Sequence, residues 1–460
     1  MIEHDLSLLP LKMTKARIPL AVLSEAKKRV LDTLGCYFGA FNAKPVSILR
    51  EVMSREVQGY HVIWGTQKRV SPEVAAWCNG TGVRALDYND TYLSKEPCHP
   101  SDIISSLFVA AELSKNRSSG LDLLKAIVLG YDVMCRLCDA TSLRTRGWDH
   151  VTYLPLASAV ACSYLLELTP DETKNAIALS IIGHSAMRQT RVGEISDWKA
   201  SCASYAARAG LWAARLAKEG FTGPSDIFSG KHGFFHQVSG SFELNLKSFG
   251  KRWRILDTHT KFFPAEHHAQ SAIEAAVMIG SELRNQDIQK IEIVCFDVAV
   301  SIIGSEKEKW IPKTRETADH SMPYLVAAAL VEGNVNLYQY ESKLFTKKNI
   351  QRLMAMTVVK SSKIYTQHYP KKMGTLLRVQ TRNKSNGKIE WRESEVLLPR
   401  GYSGNPMSWE EVENKFTNLT KGDHSSGLLL RAHQQRKIIE ACASLDEIDD
   451  MKVFSQLLSE

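Results

Sequence analysis

LDLLKAIVLGYDVMCRLCDA, residues 121 to 140, is apolar nearly all round when wound at helical spacing. A helix with no polar face can be stable in water only inside a bundle of other helices, so this stretch predicts a helix-packed core. Its flanks agree. Thr169-Pro170-Asp171-Glu172 supplies an N-cap, a proline for the first turn and a capping-box glutamate, which predicts a helix running to about Ser185. DWKASCASYAARAGLWAARLAKEG, residues 197 to 220, is alanine-rich and ends on a glycine suited to a left-handed cap. Apolar residues keep helical spacing through most of the first 245 positions.

The pattern changes after about residue 285. IEIVCFDVAV, residues 291 to 300, alternates with a period of two, and LLRVQTRNKSNGKIEWRESEV, residues 376 to 396, reads as two strands joined across Asn386-Gly387. Helical segments intervene at about 265 to 283, 320 to 331 and 348 to 357. Ser408-Trp409-Glu410-Glu411 is a second capping box, after which helical patterns run to the last residues. The expectation is a mainly α fold: a large all-α helical domain built from both chain ends, residues 1–258 and 402–460, with a smaller α+β domain, 259–401, inserted as a lid over a cleft.

At 460 residues the chain exceeds what one core supports, which also predicts two domains. Hydrophobic residues at 44% and charged residues at 23% suit a globular enzyme, and no apolar run reaches the roughly 18 residues of a membrane span. The first 29 residues break their apolar positions with acids and lysines and resemble no signal peptide, so a cytoplasmic location is expected. Nine cysteines without framework spacing predict reduced thiols. The net charge of +8 is dispersed, with no stripe of Lys and Arg among aromatics, which argues against nucleic acid and fits small anionic substrates.

DYNDTYLSKEPCHPSD, residues 87 to 102, crowds acids, a threonine, a lysine and a histidine between apolar helical stretches. Three other segments share that profile: RTRGWDHVTY (144 to 153, with His150), GEISDWKAS (193 to 201, with Lys199) and HTKFFPAEHHAQSA (259 to 272, with Lys261, Glu266, His267 and His268). Any one of them alone reads more simply as a solvated loop or capped helix; their conjunction suggests a reaction site. Cys135-Arg136-Leu137-Cys138 could be read as iron–sulfur ligands, but it sits in the apolar helix and reads as core. GTGVRAL, residues 80 to 86, lacks the lysine of a phosphate loop, and the histidines at 259, 267 and 268 lack zinc spacing, so neither nucleotide nor metal is expected.

These landmarks resemble the MmgE/PrpD family, the 2-methylcitrate dehydratases and their cis-aconitate decarboxylase relatives. The resemblance rests on Asp87 to Thr91 followed by His99 to Asp102, on GYDVMCRL at 130 to 137, the His150 loop, Trp198-Lys199, the Lys261 to Glu266 run, DHSMPY at 319 to 324, and a late YSGNPMSWEEVENKF. It implies a homodimer, no cofactor, and a pocket lined by Asp87, Thr91, His99, His150, Lys199, Lys261, Glu266 and Tyr324. The eight-residue step from Thr91 to His99 and the glutamate at 266 look like the dehydratase branch; Cys98 departs from the glycine expected there. The implied reaction removes a proton beside a carboxylate and expels hydroxide from the next carbon. It needs a base, an acid and cations: His99 and His150 would be the acid–base pair, with Asp87 orienting or sharing the proton and Glu266 next in line, Lys199 and Lys261 would clamp carboxylates, and Thr91 and Tyr324 would add hydrogen bonds. The rival readings are decarboxylation of cis-aconitate or isomerisation on the same scaffold, a non-catalytic tricarboxylate-binding protein, and a metal-dependent hydro-lyase.

Overall fold

The computed structural model describes residues 2–56, 58–192, 195–283 and 286–459; the first two residues of the 193 to 201 segment lie outside the described residues. The chain is mainly helical with a small mixed sheet. It divides into two units, Met1–Thr258 with Ser408–Gly422 and Ser426–Glu460, and His259–Met407 with Asp423–Ser425.

The first unit holds α1 (Leu20–Gly39), α2 (Pro72–Ala85), α3 (Ile104–Leu113), α4 (Gly120–Ala140), α5 (Leu154–Leu165), α6 (Pro170–Ile182) and α7 (Trp198–Lys218). As its all-round apolarity predicts, α4 is buried on every face from Ala126 to Cys138. The two charges within that stretch, Asp132 and Arg136, sit one turn apart and pair at 2.5 Å, which is how burial of both is tolerated. The Thr169 capping box forms at the start of α6, with Glu172 returning its side chain to the Thr169 backbone. That helix stops at Ile182, short of Ser185, because Gly183 follows. Behind α7, Gly220 takes φ of +87°. The alanines and Gly210 of α7 let it lie close against α2, α5 and α6.

The second unit contains α8 (Gln270–Gly280), β1 (Gln286–Cys295), α9 (Met322–Glu332), α10 (Lys348–Ala355), β2 (Thr357–Ser361), β3 (Thr375–Asn383) and β4 (Ile389–Val396). The strand order is β2-β1-β3-β4, with β1 and β2 parallel and the other neighbours antiparallel. Ile293 stands opposite Leu377, and Leu377 opposite Ser394. The period of two buries Ile291, Ile293, Cys295, Leu377 and Val379 on one face, while α8 packs on β3 and β4. One expectation fails: the strand ends at Cys295, and residues 297 to 299 turn into a helix. The ladder runs out there, since β2 ends at Ser361 and the Asp297 N–H donates to the Thr366 hydroxyl at 3.0 Å.

The chain returns to the first unit through α11 (Trp409–Thr420), started by the Ser408–Glu411 capping box, and α11 packs on α1. Its Lys415 ammonium is buried against Asp32 at 2.6 Å and donates to the Tyr88 carbonyl at 2.8 Å. All nine cysteines are buried and none forms a disulfide, Cys135 and Cys138 lying within α4. Among the described residues no helix is long and apolar enough to cross a membrane.

Candidate active site

In the first unit the acid-rich segment 87 to 102 folds back on itself. Tyr92 and Cys98 exchange backbone hydrogen bonds at 2.9 and 3.0 Å. Asp90 accepts from the Ser101 N–H at 3.0 Å and its hydroxyl at 2.6 Å, and the Asn89 amide donates to Ser101 Oγ at 2.9 Å and Asp102 Oδ1 at 3.0 Å. Much of the segment's polarity therefore holds the loop closed. Its buried acids feel that burial: Asp90 is shifted upward, and Asp102 is pushed up to about 7 by desolvation against the opposing pull of Arg84.

Asp87 follows α2 with φ of +52°, a left-handed conformation that aspartate tolerates better than most side chains. Its carboxylate pairs with Arg84, one turn back on α2, and lies 3.3 Å from the Lys199 ammonium in the first turn of α7. Arg84 also reaches His99, its Nη2 donating to Nε2 at 3.1 Å. Burial disfavours the Arg84 charge, but Asp87 and Asp102 outweigh that and shift it upward. A guanidinium only donates, so His99 Nε2 accepts and the ring proton lies on Nδ1. Nδ1 then donates to the Asp90 carbonyl at 2.6 Å, with Thr91 Oγ1 at 3.1 Å.

His150 opens the short turn that leads into α5, and Asp149 caps that turn by accepting from the Val151 N–H at 3.1 Å. Asp149 Oδ1 faces His150 Nδ1 at 3.2 Å, and Oδ2 accepts from Arg191 Nε at 2.7 Å. Burial opposes the Asp149 charge, but His150 and Arg191 outweigh it and lower its pKa. The other ring nitrogen, His150 Nε2, is buried without a hydrogen-bond partner. Desolvation holds the His150 pKa down at about 3; Asp149 pulls it up, while Arg191, Arg84 and Arg188 add to the depression. The rings of His99 and His150 lie 5.6 Å apart. The first unit thus gathers His99, His150, Asp87, Thr91 and Lys199 around Arg84, Asp149 and Arg191.

The second unit holds the other predicted residues. Lys261 is buried. Glu266 caps the turn before α8, accepting from the His268 N–H and from His268 Nδ1, both at 2.7 Å. Burial would raise its pKa, but His268, then His320 and Lys261, bring it down to about 2. Glu266 is therefore held as a carboxylate by its neighbours. His268 Nε2 meets the Tyr369 hydroxyl at 3.1 Å, while His259 stacks on Tyr402 with ring centres 3.8 Å apart. Tyr324 in α9 packs on Tyr340 and Phe345, and its hydroxyl donates to the Gln339 carbonyl at 2.9 Å. That bond fixes the phenol within its own core.

The sequence reading passes over Arg84, Asp149, Arg191 and Tyr369. Asp149 left a signal, an acid directly before His150 at the start of a helical turn; Arg84 and Arg191 left none beyond their charge. Among the described residues no three His, Cys, Asp or Glu side chains group in a way that would hold a metal ion. A separate cavity of about 450 Å³ in the first unit is lined by Lys95, Arg136, Asp139 and Arg254 among others. Its arginines are engaged by protein groups, Arg136 by Asp132 and Arg254 by Asp139.

Residues 11–247 match the MmgE/PrpD N-terminal domain and residues 263–446 the MmgE/PrpD C-terminal domain. The chain is 26% identical to a cis-aconitate decarboxylase-like protein of Aspergillus oryzae, over 94% of this chain and 93% of the relative. It is 28% identical to the 2-methylcitrate dehydratase of Salmonella typhimurium, over 74% of each. Identity to an alkylcitrate dehydratase of a fungal species is 25%, over 88% of this chain and 85% of the relative. With both domains matched in order along most of its length, the chain belongs to the MmgE/PrpD family of enzymes.

Proposed function

We propose that this enzyme is a lyase acting on a tricarboxylate, and that its reaction is the dehydration of 2-methylcitrate to 2-methyl-aconitate by acid–base chemistry of its own side chains. The observation that carries the reading is the pair of imidazoles, partly buried His99 and buried His150, 5.6 Å apart among Arg84, Arg191 and Lys199. Removing a proton from carbon beside a carboxylate builds negative charge on that carboxylate, and nearby cations lower the cost of that charge. Lys199 and Lys261 are the proposed carboxylate-binding cations, and the two histidines the proton-transfer pair. Asp87 tethers Lys199 and Arg84, Thr91 orients His99, and Glu266 orients His268. Tyr324, whose hydroxyl donates to the Gln339 carbonyl, is proposed as a further hydrogen-bonding group.

Dehydratase relatives from bacteria and fungi support this choice of reaction. Decarboxylation of cis-aconitate is the second reading, favoured by the length of the match to the Aspergillus relative. Incubating the purified protein with 2-methylcitrate, citrate and cis-aconitate separates them: ultraviolet absorbance of a new alkene without gas marks dehydration, and released carbon dioxide marks decarboxylation. His99→Gln and His150→Gln should each lower kcat by about 10²–10⁴-fold. Lys199→Met and Lys261→Met should raise KM and lower kcat together, because a cation that bound only the ground state would change KM alone. Wild-type turnover in both histidine variants would refute the assignment.

A further inference from the structure

Two imidazoles stand side by side, and their hydrogen bonds make them chemically unequal. His99 is engaged at both nitrogens: Nδ1 donates to the Asp90 carbonyl at 2.6 Å, and Nε2 accepts from Arg84 at 3.1 Å. To take a proton at Nε2 it must give up a guanidinium that is itself paired with Asp87, and the new N–H would then face a cation. His150 is arranged the other way. Its Nδ1 faces a carboxylate whose second oxygen is fixed by Arg191 and whose first accepts the Val151 N–H, so Asp149 is an anchored anion and an acceptor. An imidazole against such an acceptor carries its proton on Nδ1. That leaves a lone pair on Nε2, the buried nitrogen with no hydrogen-bond partner.

We infer that Asp149 is a positioning residue that makes Nε2 of His150, and not His99, the group that takes the carbon-bound proton. The inference rests on the lyase reading above. In the step, the electron pair of the C–H bond becomes the second bond of the alkene and the proton moves to His150 Nε2. The C–O bond breaks with its pair on oxygen, and the departing hydroxide together with that proton makes up the water released. The imidazolium formed in between lies against Asp149, which stabilises it without itself becoming protonated.

The surroundings add a condition on when this base works. The charged and titratable groups facing His150 are Asp149 on its own turn, Arg84 at the end of α2, Arg188 and Arg191 on the 188–191 turn, and the His99 ring. Burial and the three arginines favour the neutral ring, against one carboxylate. A substrate bearing three carboxylates brings opposite charge to those arginines, so basicity at Nε2 rises when substrate occupies the site.

The test reads the tautomer directly. Long-range proton–nitrogen spectra of the full chain labelled at histidine, with the His150 signals identified by their loss in His150→Gln, should show Nδ1 protonated and Nε2 bare from pH 6 to pH 8. Adding propane-1,2,3-tricarboxylate, an unreactive trianion, should move the His150 titration upward by at least one pH unit. Asp149→Asn should lower kcat by about 10²–10⁴-fold with KM within about threefold, and should shift the ring proton toward Nε2. Arg191→Gln keeps the carboxylate but loses its anchor, and should give a smaller kcat loss with the same direction of tautomer shift. A wild-type spectrum with the proton on Nε2, a titration that ignores the trianion, or wild-type kcat in Asp149→Asn would each overturn the inference. The wild-type spectrum alone decides it if the Asp149 variant does not fold. Failure of every tricarboxylate to react would sink the lyase reading, while the tautomer would still be decided by the spectrum.

Discussion

Asp102 and His150 are buried groups whose ionisation burial disfavours, and they bend the stability of the protein in opposite pH directions. The Asp102 carboxyl is pushed up to about 7, burial being the main cause and Arg84 opposing it. A raised folded-state pKa stabilises fully below the unfolded value near 4, and that contribution is lost as pH rises through 7. Asp102→Asn keeps an acceptor for the Asn89 amide and removes the titration. It should therefore be more stable than wild type at pH 8, by on the order of 3 kcal/mol, with the gap shrinking toward pH 4. His150, held down at about 3, does the reverse: its contribution is present above about 6.5 and is lost as pH falls toward 3. His150→Gln should flatten the loss of stability between pH 6 and pH 4. Urea unfolding curves at three pH values check both, and a pH-independent difference in either variant would contradict the assignment. At this scale the sequence names the residues that carry chemistry by their type, such as His99, His150 and Lys199. It is nearly silent on what holds them, because a buried arginine and a surface arginine are the same letter until the chain is folded.

Elements are placed by their small residues. A Cβ on Gly210 of α7 would lie 2.4 Å from the Pro155 carbonyl oxygen, 2.5 Å from the Ala159 nitrogen and 2.6 Å from Ser158 Cβ, all on α5. Two of those three atoms are backbone, so no rotamer change relieves the clash. The turn bearing His150 runs directly into α5, and Lys199 lies in the first turn of α7, so Gly210 sets the spacing of the helices that carry both. Gly210→Ala should cost about 1–3 kcal/mol and lower kcat in the folded fraction, whereas Gly387→Ala in the β3–β4 turn, with φ of +69° and open space around it, should cost about 1 kcal/mol and leave kcat unchanged. Thermal melts and steady-state kinetics on the two variants separate packing from turn strain. Helices and hairpin are legible beforehand because their signals are local: Thr169 with Glu172, Ser408 with Glu411, and Asn386-Gly387 between alternating strands. The parallel pairing of β1 with β2 is not, since β2 is five residues long and its partner lies more than sixty positions earlier. The helical turn after Cys295 is hidden for a related reason: alternation continues in the letters after the neighbouring strand has ended.

For the molecule as a whole, chain order and spatial membership differ. The two matched family segments meet between residues 247 and 263, and the division between units falls there too, at Thr258 and His259. The second segment nevertheless runs to residue 446, past the point where α11 has rejoined the first unit. Cutting the chain at the family boundary would leave Asp32 buried without the Lys415 ammonium and α1 without the helix that covers it. The burial of every thiol turns the fold into its own clock. Cys295 is the lone cysteine of the second unit and the other eight belong to the first. An alkylating reagent then marks a chain only during an excursion from the native state. Intact-mass spectra taken over hours should show a single adduct first if the sheet opens alone, and a jump of eight or nine if the helices go. Adducts accumulating one at a time up to nine would mean that neither body opens as a cooperative whole.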